Sequence, residues 1–138
     1  LLLKKAADLE IEAEFVRASA ETLPFEDDSF DTVVATLVFC TVGDPETAIA
    51  EVRRVLRPGG QWLLIEHIRS DRPRVGKIQD TIARPWAAFA DGCQCNRPTI
   101  RMIESGGFQV EIKSVADKAL MPPMARPIVA GVAQPVTG

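Results

Sequence analysis

Between Asp31 and Phe39 the chain is apolar almost without interruption, Val33-Val34-Ala35 leading to Leu37-Val38-Phe39. It scarcely alternates, which predicts a strand buried on both faces in the middle of a parallel sheet. The next stretch changes period. Ile49, Val52 and Leu56, with Ala48 and Val55 alongside, recur at helical spacing, while Glu51, Arg53 and Arg54 take the opposite side. Asp44 is placed to cap this helix and Pro45 to open it, since a proline at the first helical position gives up an N–H that would have no partner. Arg54 and Arg57 favour its negative carboxyl end, and Pro58-Gly59-Gly60 stops it. A second apolar run, Gln61 to His67, completes a strand, helix and strand in the compact crossover of parallel sheets, which is nearly always right-handed.

On either side of this unit the signals are shorter. Residues 2–8 suggest a small helical remnant and residues 13–18 a strand, followed by a loop over 19–30 marked by Pro24 and Glu26-Asp27-Asp28-Ser29. Val75, Ile78, Ile82, Trp86 and Phe89 share a helical stripe interrupted at Pro85, so a kinked helix or two short ones is expected, with the stripe used for packing. A helix from Pro98 to Ser105 should end at Gly106-Gly107, where a left-handed residue can close it. Phe108 to Val115 alternates as a half-buried strand, and residues 127–133 read as a last buried one. Between them Ala119 to Met124 is an apolar loop broken by Pro122-Pro123.

Composition narrows the partners. The 138 residues suit one domain, with 16 basic against 19 acidic side chains and a net charge of −3. That balance offers no broad positive surface for phosphates and argues against nucleic acid, leaving small molecules or proteins. The three cysteines, Cys40, Cys93 and Cys95, are an odd number, and the last two are too close for an easy mutual bridge. A reducing cytoplasm is the simplest home. No run approaches the ~20 apolar residues of a membrane span, and the short Leu1-Leu2-Leu3 run is no signal-peptide core. A chain opening on Leu instead of Met is read as lacking an N-terminal part.

In open α/β sheets ligands bind beyond the carboxyl ends of the strands. That rule selects Ser19, Ala20 and Glu21, then Thr36 to Val42, then Glu66 to Arg69. The text from Ala18 to Gly60, ASAETLPFEDDSFDTVVATLVFCTVGDPETAIAEVRRVLRPGG, resembles the UbiE-like branch of the class I S-adenosylmethionine-dependent methyltransferases. The later residues Glu66-His67, Asp91-Gly92-Cys93 and Arg97-Pro98-Thr99 to Gly107-Phe108 are similar to the small thiol methyltransferases.

The resemblance implies a Rossmann-like α/β sheet ordered 3-2-1-4-5-7-6, of which these residues supply the third to seventh strands. The whole chain, 1–138, would be the C-terminal two-thirds of a single methyltransferase domain. The glycine-rich cofactor loop has no counterpart, and no G-x-G occurs in the sequence. Without the first two strands, residues 13–18 lack a sheet neighbour and the central strand becomes an exposed edge, unless 13–18 pair elsewhere, as across a homodimer.

By the family pattern Ser19, Ala20 and Glu21 lie at the cofactor's adenine, with Ser19 in place of the usual Asp. Thr36, Leu37 and Phe39 flank the cofactor. Trp86 and Asp91 are placed near a small apolar acceptor, and His67, the single histidine, is the candidate base. With one histidine, Cys93 and Cys95 fall short of a four-ligand zinc set, so no metal is expected. The stripe on residues 75–89 offers peripheral membrane contact as an alternative to core packing. The activity implied is methyl transfer from S-adenosylmethionine. The rival is a non-catalytic, methyltransferase-derived interaction module.

Overall fold

A computed structural model describes residues 12–117 and 122–136. It contains a four-stranded sheet made by β1 (Phe30–Thr36), β2 (Leu56–His67), β3 (Phe108–Ala116) and β4 (Ile128–Pro135), in the order β1-β2-β4-β3. β1 runs parallel to β2, and β4 is antiparallel to both β2 and β3. This is the 4-5-7-6 half of the family's strand order. Three helices accompany it: α1 (Pro45–Val55), α2 (Pro73–Phe89) and α3 (Thr99–Ser105).

The core lies on one face of the sheet. Residues 60, 62, 64 and 66 of β2 are buried, and they alternate with less covered neighbours. α1 presents Ala48, Ile49, Val52 and Val55, and α3 presents Ile103, all buried. Trp62, wholly buried, sits between Phe39 and Phe108, with ring centroids 4.8 and 5.4 Å away. Asp44 caps α1 as its sequence indicates: its carboxylate accepts from the Thr47 N–H at 3.1 Å. α3 ends at Gly106, and Gly107 follows with φ +86°, the left-handed residue foreseen there.

Several expectations are corrected. The strand expected over 13–18 does not form: residues 12–18 are irregular and exposed, and Ser19 makes only an isolated bridge to Thr22. Its cause is the one foreseen, since the described sheet has no strand on the far side of β1. β1 is therefore an edge and not a doubly buried central strand, and Val34 is 67% exposed. It also ends at Thr36, because Leu37 enters the left-handed region at φ 55° and turns the chain.

The helix expected to reach Arg57 stops at Val55, because Leu56 already pairs with Phe30 in the sheet. α2 is one continuous helix with Pro85 inside it. Its apolar stripe is covered only in part: Val75 is buried, whereas Ile78 is 45% and Phe89 89% exposed. A buried polar side chain also anchors it. The Gln79 amide accepts from Ser70 N–H (2.8 Å) and donates to the carbonyls of Ile68 (3.3 Å), Cys95 (2.9 Å) and Arg126 (2.9 Å). The helical remnant at 2–8 lies outside the described residues, as do residues 119–121 of the apolar loop; Pro123–Ala125 form a short 3-10 turn.

Candidate functional site

The carboxyl ends of β1 and β2 converge where the turn after β1 folds across β2. The Leu37 N–H donates to the Ile65 carbonyl at 2.8 Å and so extends the ladder one step past the strand. A left-handed leucine costs about 1 kcal/mol or more, and it persists because the next residues are over-determined. Glu66, fully buried, accepts from the N–H groups of Val38 (2.9 Å) and Phe39 (3.2 Å) through one oxygen. Burial pushes its carboxyl above the ordinary range, and those amides pull partly back. Its other oxygen, Oε2, is buried without a hydrogen-bond partner among the described residues.

Arg97 reaches the same turn from beyond α2. Its Nη1 donates to the carbonyls of Phe39 (2.5 Å) and Val42 (2.9 Å), and the Gln94 N–H donates to the Cys40 carbonyl at 2.7 Å. Desolvation lowers the Arg97 pKa from its ordinary value, opposed by the nearby thiols and Glu66.

The 19–22 loop is tied to this edge by Glu21. Its carboxylate accepts from the Ser19 hydroxyl and from the N–H groups of Gly43 (3.1 Å) and Asp44 (3.2 Å). These bonds, the Ser19 hydroxyl first, hold its pKa low. Ser19 and Glu21 thus satisfy one another and hold the loop to the start of α1. Ala20 packs half-buried against the core, and among the described residues its N–H has no partner. Thr36 and Leu37 are exposed at the end of β1. Phe39, grouped with them by sequence, is only 2% exposed and packs against Trp62 with the rings tilted, so its ring belongs to the core.

In α2, Trp86 is half-buried with its Nε1 shut from solvent and unpaired among the described residues. Asp91 is exposed and left-handed (φ 46°), as is Gly92 (φ 83°). Together they reverse the chain after α2 and deliver Cys93 to His67, whose Nδ1 lies 3.9 Å from the Cys93 sulfur. Cys40 joins them: the ligand atoms of Cys40, His67 and Cys93 all lie within 4.8 Å of one another. Burial pushes the Cys40 thiol up to about 12 and lowers the His67 pKa, so the imidazole is neutral at pH 7.

Sequence reasoning placed His67 here but did not join Cys40 and Cys93 to it, and it missed the roles of Arg97 and Gln79. The available signal was positional: Cys40 lies in the loop after one strand and His67 ends the next.

The sheet order and a ligand edge beyond its parallel strands define a Rossmann-like methyltransferase fold. A methyltransferase domain model matches residues 2–64. Thiol S-methyltransferase TMT1B of Rattus norvegicus is 35% identical over 96 residues, covering 68% of this chain and 39% of that protein. The ubiquinone/menaquinone biosynthesis C-methyltransferase UbiE of Hahella chejuensis is 46% identical over 67 residues, 49% of this chain and 27% of that protein.

Among solved structures, the YcgJ protein of Bacillus subtilis superposes with a TM-score of 0.77 over 99% of this chain and 77% of that one, at 15% identity. An S-adenosylmethionine-dependent methyltransferase of Thermotoga maritima gives 0.63 over 94% of this chain and 65% of that one, at 20% identity. The chain is similar in sequence and in fold to class I S-adenosylmethionine-dependent methyltransferases, whose cofactor is S-adenosylmethionine. The matched segment spans less than half the length of these curated relatives.

Ser19 and Glu21 are occupied with one another, Ala20 packs half-buried against the core, and Leu37 is exposed at the end of β1.

Proposed function

We propose that this chain carries the adenine-side wall and the acceptor side of a methyltransferase that methylates the sulfur of a small apolar thiol. The observation that carries the reading is the Cys40–His67–Cys93 cluster at the end of β2, together with similarity to thiol S-methyltransferases over most of the chain. Supporting the sulfur acceptor over a carbon one is extent: the thiol methyltransferases match 96 residues and the C-methyltransferase 67.

When bound, the cofactor supplies a methyl already activated by its sulfonium charge. The protein's task is then alignment and exclusion of water. Ala20 and Leu37 position the nucleoside. Trp86 offers an apolar surface on the acceptor side, and the backbone of Asp91 sets the turn that completes it. His67, neutral at physiological pH, is the basic group at which the acceptor's proton is taken up.

Titration calorimetry with S-adenosylhomocysteine, followed by transfer of labelled methyl to hexanethiol and to hexanol, tests this. Binding and transfer to the thiol alone support it. Binding with equal transfer to both acceptors, or none to the thiol, overturns the acceptor; absent binding overturns the reading.

A further inference from the structure

Cys40, His67 and Cys93 come from three separate segments, the turn after β1, the last residue of β2 and the reversal after α2. The fold fixes each independently. The Cys40 carbonyl accepts from Gln94 N–H at 2.7 Å, Cys93 N–H donates to the Ala90 carbonyl at 2.8 Å, and the His67 carbonyl accepts from the Thr99 hydroxyl at 3.4 Å. Cys40 and Cys93 are buried and His67 is half-buried. The three ligand atoms are mutually within 4.8 Å, and the Cys93 sulfur is 3.9 Å from His67 Nδ1. In a tetrahedral zinc site, bonds of about 2.3 Å to sulfur and 2.0–2.1 Å to nitrogen set donors roughly 3.5–3.8 Å apart. The Cys93–His67 pair is already close to that spacing, and the widest pair would have to close by up to about 1 Å.

Two neighbours set the charge. Glu66 adds a buried carboxyl whose Oε2 has no hydrogen-bond partner among the described residues, and Arg97 adds a guanidinium. Two thiolates and one divalent cation sum to zero charge, so the metal with its thiolates adds no net charge to this buried region. Cys95 belongs elsewhere: its sulfur faces the Gln79 carbonyl at 3.9 Å.

We propose that Cys40, His67 and Cys93 bind a divalent cation of the zinc class through two sulfurs and one imidazole nitrogen, leaving a fourth position open. Binding releases the two thiol protons to solvent as the metal–sulfur bonds form, so affinity rises with pH. A thiol entering the fourth position loses its proton to solvent as its sulfur joins the metal. His67 is then a ligand, and ionisation of the acceptor passes from imidazole to metal. Only this use of the fourth position rests on the thiol reading above; metal binding does not.

The test is titration of the metal-free chain, reduced with a phosphine and carrying no cofactor or acceptor, with cobalt(II). One equivalent should produce a thiolate-to-cobalt charge-transfer band and intense tetrahedral d–d bands, both erased by zinc. Cys40→Ser, Cys93→Ser and His67→Ala should each weaken binding by more than the roughly 10–100-fold that loss of a merely orienting group produces. Cys95→Ser should keep the bands, with circular dichroism confirming the fold of every variant.

A folded wild-type chain without the bands overturns the proposal, as does a folded Cys93→Ser chain that retains them. Propanethiol added to the cobalt form should shift the charge-transfer band; an unchanged spectrum overturns the open position. Bands without methyl transfer would defeat the proposed function and leave the metal site standing, whereas methyl transfer without bands would do the reverse.

Discussion

The two faces of the sheet are built from similar residues and end differently. On one face Ala35, Trp62, Leu64 and Ala133 lie under α1 and α3, each no more than 6% exposed. On the other, Val34 and Ile65 stand at 67% and 43%, although Val34 pairs with Leu63 and Ile65 with Thr36 in the same ladder. Apolar character records a capacity for burial, and a helix must be present to realise it. The open face also carries His67, two residues along β2 from Ile65. The sealed face therefore holds the fold together, while the candidate residues Leu37 and His67 lie at the strand ends beside the open one.

The sharpest break would come from Trp62, which the comparison makes central. Trp62→Ala should lose about 3–5 kcal/mol in urea unfolding, from lost transfer energy and the cavity left behind. Val34→Ala should stay within about 0.5 kcal/mol. A cost above about 1 kcal/mol at Val34 would mean that the open face is covered in solution.

Glu66 tests whether the sealed side's one buried carboxylate is structural. Glu66→Ala leaves the Val38 and Phe39 N–H groups without their acceptor, the second of them buried, and should lose about 2–3 kcal/mol. Glu66→Gln keeps an acceptor for Val38 and Phe39 and should recover most of that. Equal losses for both would show that charge matters there more than the hydrogen bonds. Below these lies Gln79, whose replacement by Leu should cost about 1–3 kcal/mol and speed hydrogen exchange in α2 while β2 and β4 stay protected. Ile78→Ala, on the exposed stripe of the same helix, should be nearly silent.

These residues also mark how far the sequence could be read. The crossover unit, the Asp44 cap and the Gly106-Gly107 stop were legible because each depends on neighbours within a few positions. β1 was legible as a strand but not as an edge, since edge or centre depends on which other strands are present. α2 was legible as a helix, but its stripe misled: Gln79, a polar residue among apolar ones, makes four bonds that no periodicity announces. The rule about strand ends selected Leu37 and His67, which do lie at the ends of β1 and β2, and Ala20, whose preceding strand does not form. It did not bring Cys40 to Cys93, because that meeting depends on where the Asp91-Gly92 reversal aims the chain.

The smallest effect concerns the loop between Ser19 and Phe30, whose later residues charged side chains tie to α1. Arg54 donates to Glu51 (2.7 Å), Asp27 (2.8 Å) and the carbonyls of Phe25 (2.7 Å) and Leu23 (3.1 Å), while Glu51 accepts from the Leu23 N–H at 2.8 Å. The Arg54 hydrogen bond, with the Leu23 amide second, holds the Glu51 pKa at about 2 against an ordinary 4.5. Between those values the unfolded chain binds more protons than the folded one, so stability rises with pH across that window. The contribution is complete above 4.5 and is lost as pH falls through about 2. Solvent screening reduces it to about 0.5 kcal/mol. Wild type should exceed Glu51→Gln by about that much at neutral pH, and the two urea midpoints should converge on acidification or in 1 M salt. A gap that ignores both pH and salt would mean that the loop is held by shape and the Leu23 bond alone, which would align it with the sealed face.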